Sequence, residues 1–116
     1  MSPKKKKIDF SNEEIYQKIS LFDLIIIAIY SLQIQGKKIS FEDILERSFS
    51  LFPKVFSFEK FSQWPDARKL DRPLRNLRSK NLIKGDPKSY FLLTSKGKKK
   101  AKELIKKFYQ KKLFNI

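Results

Sequence analysis

The sequence predicts a mainly α-helical fold with one small β-hairpin, on three observations. Apolar residues recur at helical spacing in several separate stretches, and residues of the kind that cap helices stand in front of them. Between the last two such stretches, Gly85, Asp86 and Pro87 separate two β-prone runs. Finally, 116 residues, 41% of them hydrophobic, supply one core and not two. Residues 1–10 then read as a basic flexible tail, and residues 11–116 as a single domain without internal repeats.

In chain order, Ser11 with Glu14 three residues later matches a capping box, and Ile15, Ile19, Phe22, Ile26, Ile29 and Ile34 follow at helical spacing. A first helix is expected over about Asn12 to Gln33, broken near Ser20 and stopped by Gly36. Its stretch Leu24 to Tyr30 is apolar on every side. Together with Tyr109, Leu113, Phe114 and Ile116, it offers surface for a homodimer through the first and last helices. Lys37 to Ile39 can form a short strand. Ser40 with Asp43 opens a second helix, whose stripe of Phe41, Ile44, Leu45, Ser48 and Phe52 ends at Pro53.

From Pro53 to Pro65 the residues Val55, Phe56, Phe58, Phe61 and Trp64 are too apolar for a free linker. They are expected to fold back onto the core rather than to form a stacking platform for single-stranded bases. Ala67, Leu70, Leu74 and Leu77 share one face of a third helix within Asp66 to Lys80. Pro73 lies inside it, and a proline in a helix interior costs ~3 kcal/mol. The expectation is therefore a short turn at 66–70 and a helix from 72, with Asp71 as its cap. The hairpin follows over about 82–94. Thr94 or Ser95 then caps a last helix reaching about residue 113, with Ala101, Leu104, Ile105 and Phe108 on its apolar face and Lys99, Lys102 and Lys106 opposite.

Charge divides the chain unevenly. The net charge is +15, of which residues 1–10 carry +3, 11–52 carry −2, 53–94 carry +6 and 95–116 carry +8. A polyanionic partner is expected, whether DNA, RNA or an acidic membrane surface. The absence of Cys and His excludes thiol nucleophiles, imidazole bases and the usual zinc ligands. No paired carboxylates, Gly-rich phosphate loop or EF-hand spacing is present, so no catalysis, cofactor, metal or small-molecule substrate is implied. The longest apolar run, Leu24 to Tyr30, reaches twelve residues only by counting Asp23 and Ser31 within Leu21 to Leu32, well short of the ~20 that span a bilayer. Lys4 to Lys7 are followed by Asp9, Asn12, Glu13 and Glu14 where an export signal has its apolar stretch. A cytoplasmic protein is expected, nucleoid-associated if prokaryotic.

The run Leu74-Arg75-Asn76-Leu77-Arg78-Ser79-Lys80-Asn81-Leu82-Ile83, then Tyr90-Phe91-Leu92-Leu93-Thr94-Ser95-Lys96-Gly97 and Ala101, carries a resemblance. With the order helix, helix, helix, hairpin, helix, it resembles the winged helix-turn-helix domain. The pattern is similar to that of transcription regulators of the MarR and PadR kind and of the N-terminal domain of Mrr-type restriction proteins. It spans about residues 20–110. Asn81 stands where the pattern has Gly, and Asn is the next-best residue for a left-handed helix end. Residues 53–65 are longer than the usual turn. The resemblance implies a third helix that enters the major groove and a hairpin that lies on the minor groove or the adjoining phosphates.

The residues themselves point the same way. On a continuous third helix, Arg68, Arg72, Arg75 and Ser79 fall within about 60° of arc opposite the leucines, with Asn76 beside them. Arg forks onto guanine, Asn onto adenine, and further basic groups hold phosphates. The candidate nucleic-acid contacts are thus Arg68, Lys69, Arg72, Arg75, Asn76, Ser79 and Lys80 on the helix, with Lys84 and Lys88 on the hairpin. The expected activity is noncatalytic binding of double-stranded DNA, as a transcription regulator or a chromosome-associated architectural protein. A protein-interaction module with an acidic partner and an RNA-binding protein are the alternatives.

Overall fold

The computed structural model describes residues 16–114, with side chains to residue 110. Its elements are α1 (Leu21–Gln33), α2 (Phe41–Leu51), the one-turn α3 (Pro53–Phe56), α4 (Arg68–Ser79), β1 (Ile83–Lys84), β2 (Leu92–Leu93) and α5 (Ser95–Phe114). The fold is mainly α-helical with a small antiparallel hairpin, as the sequence predicts. The Ser11–Glu14 capping box and the basic tail lie outside the described residues.

The chain breaks at Ser20, where its hydroxyl accepts the backbone N–H of Asp23 at 3.2 Å and starts α1 afresh. Leu24 through Ile29 are all buried, because α2, α4, α5 and β2 each pack against this helix. The apolar run Leu24 to Ile29 is therefore covered within one chain. The reason it gave for a homodimer disappears, and Leu113, Phe114 and Ile116 lie beyond the described side chains.

Ser40 and Asp43 close the capping box reciprocally: Asp43 N–H donates to the Ser40 hydroxyl at 3.1 Å, and Ser40 N–H to the Asp43 carboxylate at 3.0 Å. That backbone bond holds the Asp43 carboxyl below the usual carboxylate range, against an opposing effect of burial. Arg47 ties α2 to α1, donating to the Ser31 hydroxyl at 2.8 Å and to Gln35 Oε1 at 3.0 Å.

Two corrections concern the middle of the chain. The first is that Phe56 is buried as expected and Phe58 partly so, whereas Phe61 and Trp64 stay half exposed at 50% and 54%. The second is that α4 does not wait for residue 72. Its first turn is tightened by Lys69 N–H to Asp66 O and Leu70 N–H to Ala67 O, both 3.1 Å. Asp66, not Asp71, serves the opening turn, accepting Arg68 N–H on its carboxylate at 3.1 Å. Pro73 is carried inside the helix with its ring in the core, next to Leu70, Leu74 and Leu77. Proline has no N–H to donate at that position, and burial of its ring works against this cost.

The hairpin pairs Ile83 with Leu93 and Lys84 with Leu92. An isolated antiparallel bridge from Ile39 to Phe91, with Phe91 N–H to Ile39 O at 2.7 Å, places the predicted Lys37–Ile39 extension beside the run that holds β2. Asn81 is left-handed at φ 61°, the conformation its position after α4 requires. Thr94 caps α5, its hydroxyl accepting Gly97 N–H at 3.0 Å while donating to the Asn81 carbonyl at 2.8 Å. Gly97 permits this close approach, since a Cβ there would run into the Leu82 carbonyl oxygen.

Candidate nucleic-acid interface

Each edge of α4 is tied to a neighbour, and this decides what its free face displays. On the side of residues 55–57, Lys69 Nζ donates to the carbonyls of Val55 at 2.8 Å and Ser57 at 3.1 Å. On the hairpin side, Arg78 Nη1 donates to the Gly85 carbonyl at 2.9 Å. Near its end, Asn76 and Lys80 line a cavity of about 410 Å3 together with Ser20, Phe22, Asp23, Leu77, Leu82, Lys96 and Lys100. Asn76 Oδ1 is buried with no hydrogen-bond partner among the described residues, and the Lys80 ammonium sits 5.9 Å from the Phe22 ring centre.

What remains outward is Arg68, Arg72, Arg75 and Ser79, all exposed. Arg72 makes no ion pair or hydrogen bond among the described residues. Arg75 reaches one turn back to Asp71 at 3.0 Å, an exposed pair with both side chains more than 60% accessible. Such a pair is worth well under ~1 kcal/mol and releases its arginine readily. Ser79 bonds its own helix, donating to Asn76 O at 3.0 Å.

Arg68 is different. It grips Asp66 through two nitrogens, at 3.0 and 3.1 Å, and its guanidinium lies 5.3 Å from the Phe58 ring centre. The carboxylate is buried while the guanidinium is 79% accessible, so the pair fixes Arg68 in place with its outer edge in water. The hydrogen bonds from Arg68 hold the Asp66 carboxyl below its ordinary value, and Asp66 in turn raises Arg68.

The hairpin presents Lys84 from β1 and Lys88 from the loop, both exposed. Its position is set by three bonds from different elements: Gln33 Oε1 of α1 accepts Leu93 N–H at 2.8 Å, Arg78 reaches Gly85, and Ile39 accepts from Phe91. At the loop, Asp86 turns its carboxylate onto its own backbone, accepting Lys88 N–H at 2.8 Å. Gly85, at φ 110°, has no room for a Cβ against the Tyr90 carbonyl.

The nine sequence candidates thus separate. Arg68, Arg72, Arg75 and Ser79 share the free face, and Lys84 and Lys88 extend from the hairpin. Lys69 is spent on the loop carbonyls, and Asn76 and Lys80 belong to the cavity beside α1. Two contributors escaped the sequence reading. Arg78 looks like one more surface arginine until Gly85 is found seven residues on, and Asp66 differs from other acidic residues only by standing two positions before an Arg at a helix start. Among the described residues, no helix is long and apolar enough to cross a membrane. Compared with known protein families, with curated proteins and with solved structures, the chain shows no match.

Proposed function

We propose that the chain binds double-stranded DNA without catalysis, α4 entering the major groove and the hairpin resting on the flanking backbone. The reading treats the fold as a winged helix-turn-helix. The hairpin following α4 supports it, as does the Ile39–Phe91 bridge that gives the hairpin a third neighbouring segment. The observation that carries the function is the free face of α4. Its edges are tied to the protein through Lys69 and Arg78, and three other arginines and one serine are left on a single exposed strip. Planar, many-donor groups in such a strip suit base edges and phosphates together. Lys84 and Lys88, compact charges without a fork, suit phosphates. The lysines of α5 add long-range attraction.

The reading distinguishes a regulator from an architectural protein by sequence preference alone. Titration of random duplex and of a selected site at several salt concentrations tests it. Binding at low salt that weakens linearly in log salt is expected. No duplex binding at low salt would reject the reading, and stronger binding to duplex RNA of the same sequence would replace it.

A further inference from the structure

The loop between α3 and α4 holds two aromatic residues out in water, and nothing in the duplex reading uses them. Phe61 and Trp64 stack on one another with ring centres 5.3 Å apart and planes 26° from parallel. Both are about half exposed. The loop is not loose. Phe58 N–H donates to Trp64 O at 3.0 Å and Asp66 N–H to Phe56 O at 2.7 Å, which together make the antiparallel Ser57–Pro65 bridge, and Trp64 N–H donates to Phe61 O at 3.0 Å. Lys69 braces the base of the loop from α4. A loop closed by these backbone bonds and braced by Lys69 thus keeps two large apolar rings at its surface, beside a core that has taken in Phe56.

We propose that this stack is a seat for one unpaired nucleobase, so that the preferred ligand is a duplex ending in a single-stranded overhang. This rests on the duplex reading above and adds a preference to it. A near-parallel ring pair offers a flat π-face, and a base presents a matching face only where it is not already sandwiched between base pairs. The position fits. Trp64 is bonded to Phe58, whose ring carries the Arg68 guanidinium at the first turn of α4. Trp64 stands four residues before Arg68, at most ~14 Å of chain, which is the rise of about four base pairs. A duplex end held by α4 therefore brings its first unpaired base within reach. Lys60, exposed beside Phe61, supplies a charge for the phosphate next to that base.

A second copy of the chain is the less fitting occupant. Two half-exposed aromatic side chains offer roughly 200 Å2, whereas a stable dimer buries about 800 Å2 on each partner. Trp64 is also the one tryptophan of the chain, so its emission reports on this site directly.

The test compares a short blunt duplex with the same duplex carrying a three-nucleotide overhang, by anisotropy of labelled DNA and by Trp64 emission. The overhang should tighten binding about 5- to 150-fold, the range that stacking of a base on an aromatic side chain supports. It should also quench Trp64, and the blunt duplex should quench it far less. Trp64→Ala should remove the preference, and Trp64→Phe should keep most of it, which separates lost stacking from a damaged loop. Equal affinity for the two duplexes with Trp64 emission unmoved would overturn the proposal. So would a Trp64 signal that follows protein concentration without DNA, the mark of a second copy on the stack. Failure of both duplexes to bind at low salt would defeat the duplex reading itself, a result distinct from the loss of the overhang preference alone.

Discussion

Helices α1 and α4 are nearly equal in length and lie on the same core, yet they are built to opposite ends. α1 buries every residue from Leu24 to Ile29, since four other elements surround it. α4 buries only Leu70, Pro73, Leu74 and Leu77, because its main neighbours are α1 and β1. A helix enclosed on all sides contributes stability and displays nothing. A helix enclosed on one side, with its edges pinned by single side chains, displays whatever stands on the remaining strip. Here that strip is arginine.

The sharpest contrast should come from the core. Ile26→Ala, at a fully buried α1 position, should cost about 2–5 kcal/mol in urea unfolding. Arg72→Ala should change stability by no more than ~0.5 kcal/mol. Similar losses for the two would erase the distinction between the helices.

The free face should matter next, and only for binding. Arg75→Ala should cost ~1–3 kcal/mol on a preferred duplex and less on random DNA, whereas Lys88→Ala should weaken all duplexes about equally. Identical scaling of the two on every duplex would leave attraction without readout, and the architectural reading would stand over the regulator.

A smaller effect belongs to the pinned edge. Arg78→Ala removes the bond to Gly85 and should cost about 1 kcal/mol, with faster amide exchange at Leu93 and Phe91 while the α1 amides are unchanged. Unaltered hairpin exchange would mean that Gln33 and Ile39 suffice to hold it.

The smallest effect is in acid. Asp66 and Asp43 have carboxyls held below their unfolded values by hydrogen bonds from Arg68 and Ser40. A depressed folded pKa contributes stability above the unfolded value, about 3.9, which is lost as pH falls through the folded value. The stability gap between the wild type and Asp66→Asn should therefore be full near pH 5 and shrink below pH 4. A gap independent of pH would remove the carboxylate from the account.

What the sequence made legible was whatever depends on neighbours within a few residues. The Ser40–Asp43 box, the break at Ser20, the left-handed Asn81 and the hairpin around Gly85 are local, and residue type sets each of them. Spacing alone puts Pro73 in a first turn, because neither the burial of its ring nor the opening of α4 at Asp66, a turn earlier, shows in spacing. A helical wheel gives the angle of Asn76 and Lys69 from the core. It does not reveal that the start of α1 and the carbonyls of Val55 and Ser57 stand on that flank. Composition points Phe61 and Trp64 to the core, where aromatic residues commonly lie, and only the bonded loop explains why they are held outside.

The central claim is that the free face of α4 meets the DNA. Its test is the salt dependence of duplex binding for the wild type and for Arg72→Ala, the arginine with no ion pair or hydrogen bond among the described residues. Arg72→Ala should bind more weakly at every salt concentration, with a log affinity against log salt slope shallower by up to ~0.9, one phosphate's share. An Arg72→Ala protein with wild-type affinity and slope would place the DNA elsewhere on the molecule.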